Sequence, residues 1–150
     1  MSYTRTQVET ILIQRCGPLM ETAGMDMYPV SGFYDGLNDP IGFAMRKLSY
    51  SVADITSVAN SDVSAVTTDD LDALLDLAEL RLLQNVLGNF DAVDTTVGPR
   101  TEKLSQLRDG LEVRIDKLSA AISSDYGIGG TALQAGTIGL DIADHNEDLA

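Results

Sequence analysis

The chain has 150 residues, which fits one domain able to bury roughly 68–70% of its unfolded-chain surface without disulfides or a structural metal. Hydrophobic residues make up 44%, Trp is absent and aromatics are 5%, so the core is expected to rest on Leu, Ile, Val, Met and Ala, a set that suits helix packing. A net charge of −13, from 23 acidic and 10 basic residues, disfavours both phosphate backbones and anionic membrane surfaces as partners.

The single cysteine, Cys16, has no partner for an internal disulfide and no cluster for zinc; among apolar neighbours it reads as a buried, inert thiol. No apolar run approaches the ~20 residues of a membrane span. The N-terminus lacks the basic-then-apolar layout of a secretory signal. A soluble protein used in the cytoplasm, or in a particle assembled there, is the expectation.

The first predicted helix runs from about Thr4 to Ala23, where Val8, Ile11, Leu12, Cys16, Leu19 and Met20 recur at steps of three and four. Gly17-Pro18 predicts a kink or break inside it. From Gly24 to Asp39, Gly, Pro, Asp and the aromatics Tyr28, Phe33 and Tyr34 predict a loop without regular structure. Asn38-Asp39-Pro40 predicts a second helix, with Asp39 as cap and Pro40 at the first helical position. Ile41, Met45, Leu48, Val52 and Ile55 continue its spacing, although β-branched Val52 and Ile55 weaken the far end. Asn60 to Thr67 reads as a polar linker.

Thr67 and Asp70 have the spacing of a capping box, with Asp in place of the usual Glu or Gln. Leu71, Leu74, Leu75, Ala78, Leu82, Val86 and Phe90 then form one face of a third helix, and Asp69, Asp70 and Asp72 suit its dipole. Gly88-Asn89 predicts its end. Val97-Gly98-Pro99 introduces a last long helix with Leu104, Leu107, Leu111, Ile115, Leu118 and Ile122 in register. Its other faces mix Arg100, Lys103, Arg108, Arg114 and Lys117 with acids, which reads as a solvated or intersubunit surface and not as a nucleic-acid stripe. Gly127 is placed for a left-handed cap.

After the glycines 127, 129 and 130, which read as a joint, the period changes. Ile138, Leu140 and Ile142 alternate with Gly139, Asp141 and Ala143, the period of a strand. Such a strand either adds to a partner's sheet edge or folds back on its own bundle, and both readings stay open. The predicted division is a helical bundle domain over 1–130 and a C-terminal assembly arm over 131–150. Candidate partner-binding residues are Ile128, Leu133, Ile138, Leu140 and Ile142.

Chemistry is sparse. His145, the only histidine, lies in an acidic terminus, a poor place for a preorganised base. Asp72, Asp76 and Glu79 share a helix face, but lack the irregular loop and Gly turn of a calcium site. Gly127-x-Gly129-Gly130 follows a helix and does not join a strand to one, so the context of a phosphate loop is missing. No catalytic residue, metal site or cofactor is expected, and an enzyme is disfavoured.

Residues 37–130 carry a resemblance. Leu37-Asn38-Asp39-Pro40-Ile41-Gly42, the run Asp70-Leu71-Asp72-Ala73-Leu74-Leu75-Asp76-Leu77-Ala78-Glu79-Leu80-Arg81, the run Val97-Gly98-Pro99-Arg100-Thr101-Glu102-Lys103-Leu104-Ser105-Gln106-Leu107, and Tyr126-Gly127-Ile128-Gly129 together resemble the head–tail connector (adaptor) proteins of tailed bacteriophages. The resemblance implies a helical bundle repeated as a homo-oligomeric ring in the virion neck. Its partners would be the portal protein, reached by a C-terminal arm, and a tail-side neck protein. DNA would pass through the lumen, whose acidity would keep it from sticking. The loop from Gly24 to Asp39 is longer and more aromatic than this pattern calls for. The expected architecture is an all-α bundle of about four helices with an extended, strand-like arm. The alternative function is a helical binding or assembly-chaperone module without catalytic activity.

Overall fold

A computed structural model describes residues 2–25, 28–29, 32–94 and 101–127. The predicted arm over 131–150, with Leu133, Ile138, Leu140, Ile142 and His145, lies outside the described residues, as does Ile128. Among the described residues the chain is all α: α1 (Arg5–Thr22), a 3-10 turn (Asp35–Leu37), α2 (Asn38–Lys47), α3 (Asn60–Val63), α4 (Thr68–Asp94) and α5 (Thr101–Tyr126).

The centre of the fold is α4, which packs against α1, α2 and α5. That environment explains its sequence. Ala73, Leu74, Leu75, Leu77, Ala78, Leu80, Leu82, Leu83, Val86 and Phe90 are all buried, so apolar residues ring the helix and do not keep to the single predicted stripe. Burial also carries the helix past Gly88-Asn89, the predicted stop, to Asp94. Phe90 is 2% exposed beyond that point, and its burial outweighs the roughly 1 kcal/mol that an interior glycine costs.

The predicted capping box at Thr67 is reorganised. Tyr50 supplies the missing reach: its hydroxyl accepts from the Thr67 N–H and donates to the Asp70 carboxylate. Asp70 instead accepts from the Thr67 and Tyr50 hydroxyls.

On α1, Thr4 and Gln7 form a reciprocal capping box, with Gln7 N–H to Thr4 Oγ1 at 3.2 Å and Thr4 N–H to Gln7 Oε1 at 3.0 Å. The helix runs unbroken through Gly17-Pro18. Pro18 lacks the N–H that residue 14 would accept, yet Cys16 and Met20 on either side of it are fully buried, and that packing holds the turn. Gly24, at φ 74°, closes α1, with the Met25 N–H reaching back to the Met20 carbonyl.

Three further expectations are corrected between residues 35 and 67. The loop before Asn38 ends in the 3-10 turn, which runs straight into α2 with no side-chain cap, so Asp39 caps nothing. Its carboxylate instead takes hydrogen bonds from Arg81 and Asn85 of α4. Next, α2 stops at Lys47; Ser49 adopts a left-handed φ of 68° and the Tyr50 N–H caps the Met45 carbonyl, leaving Ile55 71% exposed. Finally, the stretch predicted as a polar linker contains α3 and buries Val63 and Val66 beside Val58.

The predicted stripe on α5 faces α4, with Leu111 and Ile122 buried and Leu107, Ile115 and Leu118 half-buried. Gly127 follows α5 at φ 64°, its N–H bonded to the Ser123 carbonyl at 3.0 Å, in agreement with the predicted cap. No helix among the described residues is long and apolar enough to cross a membrane.

Candidate functional site

Three features stand out, two of them polar networks and one a groove. The first centres on Arg5, which is 1% exposed. Its Nε donates to Glu9 at 3.2 Å, Nη2 to the Tyr34 carbonyl at 2.8 Å, and Nη1 to Asn38 Oδ1 and the Val58 carbonyl. The guanidinium also lies over the Phe33 ring, 4.9 Å from its centroid. Glu9 closes the network by accepting the Tyr34 N–H at 2.8 Å. Burial raises the Glu9 pKa above the usual carboxylate value, while the Tyr34 N–H and Arg5 hold it down. One charged pair thus ties α1 to the loop before α2 and to the segment before α3. This role was missed in the sequence, though a signal existed: Arg5 and Glu9 continue the buried row Leu12, Cys16, Met20 at steps of four and three.

The second network joins α1, α4 and α5. Glu79 is 8% exposed and accepts from Arg114 at 2.8 Å, with Arg15 3.8 Å away. Asp76 takes Arg15 at 3.1 Å and the Tyr126 hydroxyl at 2.8 Å. Burial, then the hydrogen bond to Asp76, pushes the Tyr126 phenol up to about 12. Asp72 is exposed and does not join them. Among the described residues no set of three His, Cys, Asp or Glu side chains is placed to hold a metal ion. Asp76 and Glu79 are committed to arginines and a tyrosine. Cys16 lies beside Glu79, with Sγ 4.0 Å from Oε1. Burial and then the Glu79 charge push its thiol up to about 11, so at neutral pH it is protonated and a weak nucleophile.

The third feature is a groove of about 480 Å³ along the outer side of α1 where it meets the start of α4. Tyr3, Val8 and Ile11 of the α1 side and Leu71 of α4 form its apolar wall, and Thr10 and Gln14 are among its polar lining. None of its lining residues is charged, in a chain that carries −13 overall.

The candidate arm residues Ile128, Leu133, Ile138, Leu140 and Ile142 lie outside the described residues, so their positions relative to these features are not part of the geometry. No protein family, no curated protein and no solved structure matches the chain at a significant level.

Proposed function

We propose that the chain is a structural adaptor that assembles side by side into a ring under a phage portal, with DNA passing through the lumen. The observation that carries this reading is the outward side of α5. This helix is 26 residues long, roughly 39 Å at 1.5 Å per residue, and it rests on α4. Val113 is 52% exposed on that side, and exposed Glu112, Asp116 and Lys117 surround it. A long face that sets an exposed valine among charges of both signs suits a heterologous contact between copies of one chain, the kind that closes rings. The resemblance of residues 37–130 to head–tail connectors gives the ring its setting, and the acidity fits a passage for DNA.

Native mass spectrometry and negative-stain microscopy of the full chain test the ring, and mass spectrometry of purified virions tests its place. A cyclic oligomer lost on Val113→Glu, with unchanged thermal unfolding, is the expected result. A monomer absent from particles would favour the second reading, a helical binding or assembly-chaperone module, for which the uncharged groove along α1 is the supporting observation.

A further inference from the structure

We propose that in the free subunit the groove between α1 and the start of α4 holds the chain's own C-terminal segment, with Ile138, Leu140 and Ile142 as its apolar contacts. The first argument is where the described chain ends. Tyr126 donates to Asp76, and Asp76 pairs with Arg15, the residue after Gln14 in the groove lining. The Tyr126 hydroxyl thus reaches the stretch of α4 that follows the groove residue Leu71. Leu71 lies five positions before Asp76 on α4, roughly 7.5 Å along the axis.

Reach and spacing agree. About ten residues separate Gly127 from Ile138, and a glycine-rich chain of that length has a root-mean-square span of roughly 17 Å. In extended form Ile138 to Ile142 covers about 13 Å. The lining runs from Tyr3 to Gln14 along α1, roughly 16 Å at helical rise. Alternate residues of an extended segment share one side, so all three apolar side chains can face the wall formed by Val8, Ile11 and Leu71.

The uncharged lining itself does not repel this occupant. The segment carries Asp141, Asp144, Glu147 and Asp148, and an acidic lining would repel it. The groove instead offers hydroxyl and amide groups, which serve the segment's backbone and bring no like charge. A tether this short sets an effective concentration of order 1 mM, so even a segment with a Kd of ~100 μM would be seated about nine-tenths of the time. The proposal does not depend on the ring. A monomer can hold the segment, and the two tests below read its seating and not the oligomer.

Two experiments on the full chain test it. Under mild oxidation, Leu140→Cys paired with exposed Gln14→Cys should form an intrachain disulfide at least tenfold faster than the same pair carrying Ile138→Ser and Ile142→Ser, which keeps the tether and removes the apolar contacts. Peptide mapping separates either bond from Cys16. Equal rates, or a disulfide between two chains, would overturn the proposal. In the second, a fluorescent peptide of residues 134–146 is titrated onto wild type and onto the variant Ile138→Ser/Leu140→Ser/Ile142→Ser. The variant has a vacated groove and should bind the peptide about tenfold more tightly than wild type does. Equal binding, or none to either, would refute it.

Discussion

Replacing Arg5 by Met tests whether the Arg5–Glu9 pair locks the fold. The guanidinium has five N–H donors, and the structure commits all three of its nitrogens: Nε to Glu9, Nη1 to Asn38 and the Val58 carbonyl, Nη2 to the Tyr34 carbonyl. Met fills similar volume but leaves Glu9 buried without its counter-charge and two carbonyls without donors. Breaking a buried pair in this way costs about 3–5 kcal/mol, against a total stability of about 5–15 kcal/mol. For a chain of this length that lowers Tm by roughly 10 °C or more. The loss should depend on pH. Without Arg5, the burial that already raises the Glu9 pKa acts unopposed by that charge, so the folded-state value sits further above the unfolded one. Such a group destabilises as pH rises from the unfolded pKa through the folded one. The deficit of Arg5→Met is therefore larger at pH 8 than at pH 5. Urea unfolding followed by circular dichroism at both values, with Glu9→Leu and the double variant completing the cycle, measures it. The double variant should recover at least half of the loss, since no charge then stays buried. An Arg5→Met variant within ~0.5 kcal/mol of wild type at pH 8 would refute the reasoning.

Leu75→Asp and Leu111→Asp place a carboxylate at positions 4% and 3% exposed; each should cost several kcal/mol, read as a large drop in Tm or failure to fold. Cys16 should react with a maleimide or disulfide reagent only as fast as the chain opens, because its thiol is buried and its pKa is up at about 11; full labelling of native protein within minutes would contradict this. Ser49→Gly should stabilise by roughly 0.5–1 kcal/mol in chemical denaturation, since Ser49 holds a φ of 68° that costs a side chain and suits glycine. Hydrogen bonding from Arg81 holds the Asp39 pKa below its ordinary value, so its contribution is present above the unfolded pKa and vanishes as pH falls through the folded one. The pair is half-exposed, so Asp39→Asn should cost at most ~1 kcal/mol at pH 7 and nothing near pH 2 in matched thermal melts.

Helix class and the phase of α1 and α5 were legible because a single buried face leaves a period of three to four in the residues. The same rule misled for α4. Leu77, Leu80 and Leu83 fall off the predicted stripe because three neighbours surround this helix, and a one-face template has no place for them. Glycine and proline signals were over-read where tertiary burial pays more than local propensity, at Gly17-Pro18 and Gly88. Propensity signals were under-read at α3, whose four residues hold their place by burying Val63. The polar networks were hidden for a different reason. Arg5, Glu9 and Glu79 look like surface residues one at a time, and only contacts 25 to 53 residues apart, such as Tyr34 to Glu9 and Arg5 to Val58, show that they are not.

One consequence of the central α4 links the two proposed contacts. Because α4 takes α1, α2 and α5 as its neighbours, its own surface is nearly used up, while α1 and α5 each keep a side that α4 does not cover. On α1 that side is the groove; on α5 it is the face around Val113. The two helices share a cavity lined by Leu19, Leu107 and Leu111, and approach again through Arg114 near Arg15 and Cys16. Arg15 and Arg114 meet α4 at Asp76 and Glu79, and the Asp76–Tyr126 contact brings the end of α5 to the same cluster. If a copy docked on α5 touches a segment lying along α1, packing one against the other favours or opposes both. Reciprocity then requires that whatever the seated segment does to the affinity between copies, assembly does equally to the seating of the segment.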